Sequence, residues 1–132
     1  MSVMQISRKV DYALRAVIDL RGHTGEPSSL AAISARQGVP RKFLEKIVQD
    51  LARAGVVRSK RGPTGGYMLC RPPGEITFRE IIEAVDGPIA LNVCVGERSD
   101  CALTSTCGML SVWQEGQRRV MELFDKTRLA DL

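Results

Sequence analysis

The chain has 132 residues, 44% of them hydrophobic and 26% charged, with a formal net charge of +4. That is one domain's worth of chain, or one domain with a dimerisation arm. No apolar run approaches the ~20 residues of a membrane-spanning helix, and the start lacks the uninterrupted apolar stretch of a secretory leader, so a cytoplasmic protein with no membrane partner is expected. The charge is uneven: residues 1–73 hold 13 Lys/Arg against 5 Asp/Glu, and residues 74–132 hold 6 against 10. A basic half joined to an acidic half suits a chain in which one half meets a polyanion.

Taken in chain order, Ser7–Arg21 is predicted to be a helix, with Val10, Leu14, Val17 and Ile18 on one apolar stripe. Gly22, Gly25 and Pro27 break it. Ser29–Gln37 is a short helix with Leu30, Ala32 and Ile33 inward. Gly38-Val39-Pro40 makes a tight turn into a longer helix, Arg41–Ala54, whose expected buried stripe is Phe43, Leu44, Ile47, Val48 and Leu51, with Gly55 as its stop. Short helix, glycine turn and second helix form the helix-turn-helix pattern. Val56–Ser59 and Tyr67–Cys70 then read as two strands around the turn residues Gly62–Gly66, a hairpin placed as a wing. Thr77-Phe78-Arg79-Glu80 is a capping box opening a helix that stops near Gly87-Pro88. Residues Asn92–Gly108 form a cysteine loop. Met109–Lys126 is the longest helix, with Met109, Trp113, Val120, Leu123 and Phe124 as its apolar face, Val112 at its edge, and Gly116 and Gln117 interrupting it. Trp113 reads as a core or dimer anchor. The expected fold is therefore mostly α with a small β-hairpin wing. A winged helix-turn-helix domain occupies residues 1–74, and a helix, the cysteine loop and a dimerisation helix occupy 75–132.

A recognition helix places polar side chains in the major groove from its N-terminal end. Here that end offers Arg41, Lys42, Glu45 and Lys46, with Gln49 a turn later. Arg and Lys suit guanine O6 and N7, and Gln suits adenine. The wing adds Arg58, Lys60 and Arg61, and Ser29 can donate to a phosphate at a helix N-terminus. These eight (Ser29, Arg41, Lys42, Lys46, Gln49, Arg58, Lys60 and Arg61) are the candidate DNA-binding residues. A solvated basic helix face is the bland reading; it does not explain why helix and hairpin would show their charge on the same side.

Cys94, Cys101 and Cys107 lie in one loop at C-x6-C-x5-C spacing, among Gly96, Ser99, Asp100, Thr104, Ser105, Thr106 and Gly108. Structural zinc sites usually bring paired C-x2-C knuckles and four ligands. Three clustered thiols with a variable fourth ligand suit an iron–sulfur cluster better. Redox-active or simply buried thiols are the competing reading. Cys70, at the end of a wing strand, reads as a small packing residue. The only histidine, His23, lies in a distant loop, so no base stands near a cysteine nucleophile and no enzyme is expected.

DYALRAVIDL, the run LAAISARQGVPRKFLEKIVQDLARAGVVRSKRGPTGGYML, EAVDG at Glu83–Gly87, and a three-cysteine loop before a long helix together resemble the Rrf-type winged-helix transcription regulators. The resemblance spans nearly the whole chain. It implies a homodimer on palindromic promoter DNA, acting as a repressor whose binding is gated by an iron–sulfur cluster that responds to nitric oxide, to iron and cluster status, or to redox state. Some members complete a two-iron cluster with a His three residues after the last cysteine; here that position is Leu110. Others use an Asp of the first helix, from the partner subunit, to complete a four-iron cluster; the matching residue is Asp11. The expected ligand set is therefore Cys94, Cys101, Cys107 and Asp11, with a 4Fe-4S cluster favoured and a 2Fe-2S cluster as the alternative. An ion pair of Asp11 with Arg15 or Arg8 is the plainer reading of that residue. Two rival functions stay open: a cluster-free family member sensing through thiol oxidation or a partner protein, and a cluster-assembly or electron-transfer accessory protein.

Overall fold

The structure is a computed structural model describing residues 6–96, 101–103 and 105–132. Ser99, Asp100 and Thr104 of the cysteine loop lie outside the described residues. The element order is α1 (Arg8–Arg21), α2 (Leu30–Gln37), α3 (Arg41–Arg53), β1 (Val57–Lys60), β2 (Gly66–Leu69), α4 (Phe78–Asp86) and α5 (Leu110–Lys126), with single 3-10 turns at Pro73–Glu75, Val93–Val95 and Leu129–Asp131. The chain is mostly helical, with one two-stranded antiparallel sheet among the described residues. No helix among them is long and apolar enough to cross a membrane.

Local chemistry explains the helix starts. Ser7 accepts the Val10 N–H at 3.2 Å, Ser29 the Ala32 N–H at 3.1 Å, and Thr77 the Glu80 N–H at 3.1 Å. Each satisfies a donor that has no partner within its helix. Only half of the expected capping box at Thr77 forms, because the Glu80 carboxylate turns to Arg71. α2 ends at Gly38, whose φ of +66° is left-handed. Only glycine adopts that turn without a steric cost, and it sets α3 across α2.

One core joins these elements. Val10, Val17 and Leu20 of α1 meet Ile33 of α2 and Leu44, Ile47 and Leu51 of α3. Ile76, Ile81, Ile82, Val85 and Leu129 belong to the same cluster, so buried packing continues past residue 74. The C-terminal segment is tied in by backbone: Phe78 N–H donates to Thr127 O and Leu129 N–H to Ile76 O, each at 2.8 Å. Arg21 donates to the carbonyls of Leu129 and Leu132.

Two expectations are corrected here. Phe43, placed in the buried stripe of α3, is 46% exposed and lies outside the core. It falls ~100° from its buried neighbour Leu44 on the helix wheel, and α1 covers only one side of its ring. Cys70 is exposed instead of packed. The strands also start and end one residue from the sequence expectation. β2 gains Gly66 because it pairs with Lys60 in the ladder, and Ser28, just before α2, exchanges both backbone hydrogen bonds with Tyr67 at 2.8 Å.

α5 differs from the other long helices. Over 17 residues it buries none. Its Phe124 packs on Phe78 of α4, with ring centroids 4.9 Å apart. Gln117 does not merely interrupt the stripe; it anchors the 89–91 segment, donating to Ile89 O at 2.7 Å and accepting from Leu91 N at 2.9 Å. Met109 is 62% exposed and caps the helix instead of joining its apolar face.

Candidate functional site

The hairpin follows α3 directly, and its register pairs Val57 with Leu69 and Ser59 with Tyr67. Val57 is buried under the helices while Arg58, Ser59 and Lys60 are exposed. The Ser28–Tyr67 exchange fastens the wing to the start of α2. That approach requires Gly66: a Cβ there would lie 2.4 Å from Ser28 O. Arg71, just beyond the wing, donates to Gly55 O at 3.3 Å and Glu75 O at 3.0 Å and pairs with Glu80. The wing is thus held at both ends against the helix-turn-helix.

A buried polar network sets α2. The Asp19 side chain is 3% exposed and takes a two-pronged contact from Arg36 (2.9 and 2.7 Å) and a third hydrogen bond from Gln37 at 3.1 Å. Arg36 also donates to Ser28 Oγ at 2.8 Å. Burial alone would raise the Asp19 carboxyl pKa. The donors Arg36 and Gln37 and the Arg36 charge outweigh that and hold it below its ordinary value. On α3, Asp50 faces inward and is held by Lys9 of α1 at 3.0 Å and by Arg53 at 3.1 Å.

Against these paired charges, the candidate DNA-binding cations stand open. Arg41, Lys42 and Lys46 are exposed on α3, and Arg58, Lys60 and Arg61 on the wing. None of the six makes an ion pair among the described residues, whereas Lys9, Arg15, Arg36, Arg53, Arg71 and Arg79 all do. Gln49 is likewise exposed on α3. Ser29 Oγ accepts the Ala32 N–H as the α2 cap, which leaves its O–H proton to donate. Unpaired cations cost nothing in water and keep their full charge for a phosphate.

The cysteine loop leads into α5. Cys94 sits in the Val93–Val95 turn and Cys107 just before the helix; both are half-buried, and Cys101 is exposed. Among the described residues no disulfide joins the cysteines. Among the described residues no three Cys, His, Asp or Glu side chains converge as a metal site. The donor set still fits an iron–sulfur cluster by its chemistry: three thiols on one loop, with soft sulfur ligands that such clusters require. Leu110, three residues after Cys107, opens α5. Asp11 is exposed on the first turn of α1 and pairs with Arg15 at 2.9 Å.

The Rrf2 family, described as iron-dependent transcriptional regulators, matches residues 6–132. The chain belongs to the Rrf2 family. It is 34% identical to an rrf2-like helix-turn-helix regulator of Rhodobacter capsulatus, over 96% of this chain and 91% of that one. To the transcriptional regulator IscR of Aliivibrio salmonicida it is 35% identical, over 98% and 77%. Among solved structures it is similar to CymR, the global cysteine regulator of B. subtilis (TM-score 0.80, 33% identity, 98% of this chain and 95% of that one), and to T. potens IscR (TM-score 0.76, 34% identity, 97% and 85%).

As an Rrf2 protein the chain is a transcription regulator and not an enzyme. Sequence patterning alone does not reveal the wing anchor Ser28 or the buried Asp19–Arg36 pair. Their signal was faint: an Asp on the apolar side of a helical stripe, and a second glycine in the wing turn beyond what the hairpin needs.

Proposed function

We propose that this Rrf2 regulator is a cytoplasmic repressor that binds palindromic promoter DNA as a homodimer, gated by an iron–sulfur cluster. The observation that carries the DNA part is the set of unpaired cations on α3 and the wing. Lys42, Lys46 and Gln49 share the outward side of α3, suited to base edges, and Arg58, Lys60, Arg61 and Ser29 suit phosphates. The dimer reading rests on α5. Val112 and Leu123, eleven residues and so three turns apart, fall on one face and are 72% and 52% exposed. A second copy of the helix would cover them, and two-fold symmetry would set two recognition helices about one DNA turn apart.

The three thiols support the cluster, as does the iron dependence in the family's description. The proposed ligands are Cys94, Cys101 and Cys107, with Asp11 of the partner subunit as the fourth, which favours a 4Fe-4S over a 2Fe-2S cluster. When bound, the cluster supplies iron–thiolate links that oxygen, nitric oxide or iron shortage can dissolve. The chain's own part is transmission. Lys9, two residues before Asp11, is paired with Asp50 of α3, and Tyr12 packs on Phe43 of α3 at 5.8 Å. A displacement of the first turn of α1 therefore moves the recognition helix. Purification without oxygen, followed by counting iron and sulfide per chain, tests the reading. Iron should be present and lost in Cys101→Ala; a colourless wild-type protein would sink it. Unaltered cluster stability in Asp11→Ala would remove only the fourth ligand.

A second reading has one observation of its own. Cys101 is exposed, and a similar solved structure is the oxidised form of Staphylococcus aureus CymR (TM-score 0.74, 29% identity, 97% of this chain and 94% of that one). A cluster-free regulator would sense oxidant directly at a loop thiol, or a partner protein. It would be colourless, and peroxide would change its DNA affinity in a way that Cys101→Ala abolishes.

A further inference from the structure

Phe43 stands exposed on α3, and its surroundings form a site. A cleft of about 220 Å³ opens between the first two turns of α1 and of α3, lined by Arg8, Lys9, Tyr12, Phe43, Lys46 and Ile47. That is several times the ~30 Å³ share of one water. Its floor is aromatic, with Tyr12 and Phe43 tilted at 50° and their centroids 5.8 Å apart. Its rim is cationic. Lys9 is committed to Asp50, but Arg8 and Lys46 make no ion pair among the described residues. Arg8 and Tyr12, one helical turn apart on α1, line the cleft together. The nearby acids are taken: Asp11 by Arg15, and Asp50 by Lys9 and Arg53.

We propose that this cleft is a seat for the DNA sugar–phosphate backbone, which makes Arg8, Tyr12 and Phe43 DNA-contacting residues beyond the helix-turn-helix and the wing. On the α3 wheel Phe43 lies ~60° from the Lys46 position, on the flank that turns from the groove-facing side toward α1. A helix inserted in the major groove has a phosphate wall along each flank. On this flank the wall meets a deoxyribose-sized apolar floor with two unpaired cations above it, the complement of a sugar with its phosphate. The charge favours a polyanion over a second protein copy, because an apolar protein surface would leave Arg8 and Lys46 desolvated and unmatched. The inference rests on the DNA-binding reading, and its test separates the two.

The probe is a mixed-sequence duplex of about 30 base pairs, which needs no promoter because phosphate contacts are sequence-independent. Affinity is measured across a salt series. Arg8→Ala should weaken binding about fivefold and lower the salt slope by about 1, and Arg8→Lys should restore the slope. Phe43→Ala should weaken binding with the slope unchanged, since it removes sugar packing and no charge. A thermal melt confirms that each variant is folded. If Arg8→Ala and Phe43→Ala both bind as the wild type does, the cleft is not a DNA seat. If instead they change the association state and leave DNA affinity alone, the occupant is a second copy and the proposal is overturned. A wild-type protein without salt-dependent binding would defeat the DNA reading itself.

Discussion

α3 and α5 are opposite solutions to the same problem. α3 buries Leu44, Ile47, Val48 and Leu51 completely and leaves Arg41, Lys42 and Lys46 without ion pairs. α5 buries nothing, yet most of its charges are paired, Asp125 with Arg79 of α4 and the others within the helix. Arg118 pairs with Glu115 at 2.7 Å and Glu122 at 3.0 Å, and Arg119 pairs with Glu115 at 2.9 Å. The two guanidiniums hold the Glu115 carboxyl down to about 2. α3 closes most of its apolar contacts and leaves three cations open; α5 pairs most of its charges and leaves Val112 and Leu123 exposed. What each leaves open indicates its partner: an anion for α3, an apolar surface for α5.

Breaking the contrast on the α3 side has the largest expected effect. Leu51→Ala should cost about 3 kcal/mol in denaturant unfolding, because Leu51 is fully buried. A loss under 1 kcal/mol would mean that α3 is not the helix on which the core closes. Asp19→Ala should cost about 2 kcal/mol. That is below the usual figure for a broken buried pair, because Arg36 keeps about a third of its side chain in water. The Asp19 carboxyl pKa is lowered in the fold. Its contribution is therefore complete above the unfolded carboxyl range near pH 4 and fades as pH falls through the folded value. Acid unfolding of wild type should consequently be steeper than that of Asp19→Ala, and parallel acid limbs would contradict the pair's role.

On the α5 side, Val112→Asp should leave chain stability within about 0.5 kcal/mol. It should weaken self-association at least tenfold, ~1.4 kcal/mol, as read by sedimentation. Loss of fold without dissociation would show that the face is internal. The smallest effect is expected from the wing. Arg61→Ala should weaken DNA binding about fivefold across all sequences and lower the salt slope by about 1. Unchanged affinity would confine the contact surface to the helices.

The helices were legible because they obey local rules. Ser7, Ser29 and Thr77 cap where their hydroxyls reach the third N–H onward, and Gly38 stops α2 because its left-handed turn excludes other residues. The basic helix-turn-helix with its glycine-rich hairpin was equally plain, since each motif spans a few residues. Phe43 was not legible. Periodicity put it beside Leu44 on the apolar stripe, and only the approach of α1 decides which part of that stripe is covered. Cys70 failed for the same reason: alternation along a strand does not say which end runs out from under the core.

The sequence by itself determined where helices start and stop, where the wing turns, which half is basic, and that three thiols share one loop. Each of these is a property of neighbours along the chain. The tertiary structure alone decided that Asp19 and Arg36 meet across 17 residues, that Ser28 fastens the wing, and that a cleft with an aromatic floor opens beside the recognition helix. Those depend on which surfaces the folded core covers, and no local pattern of residues encodes the covering.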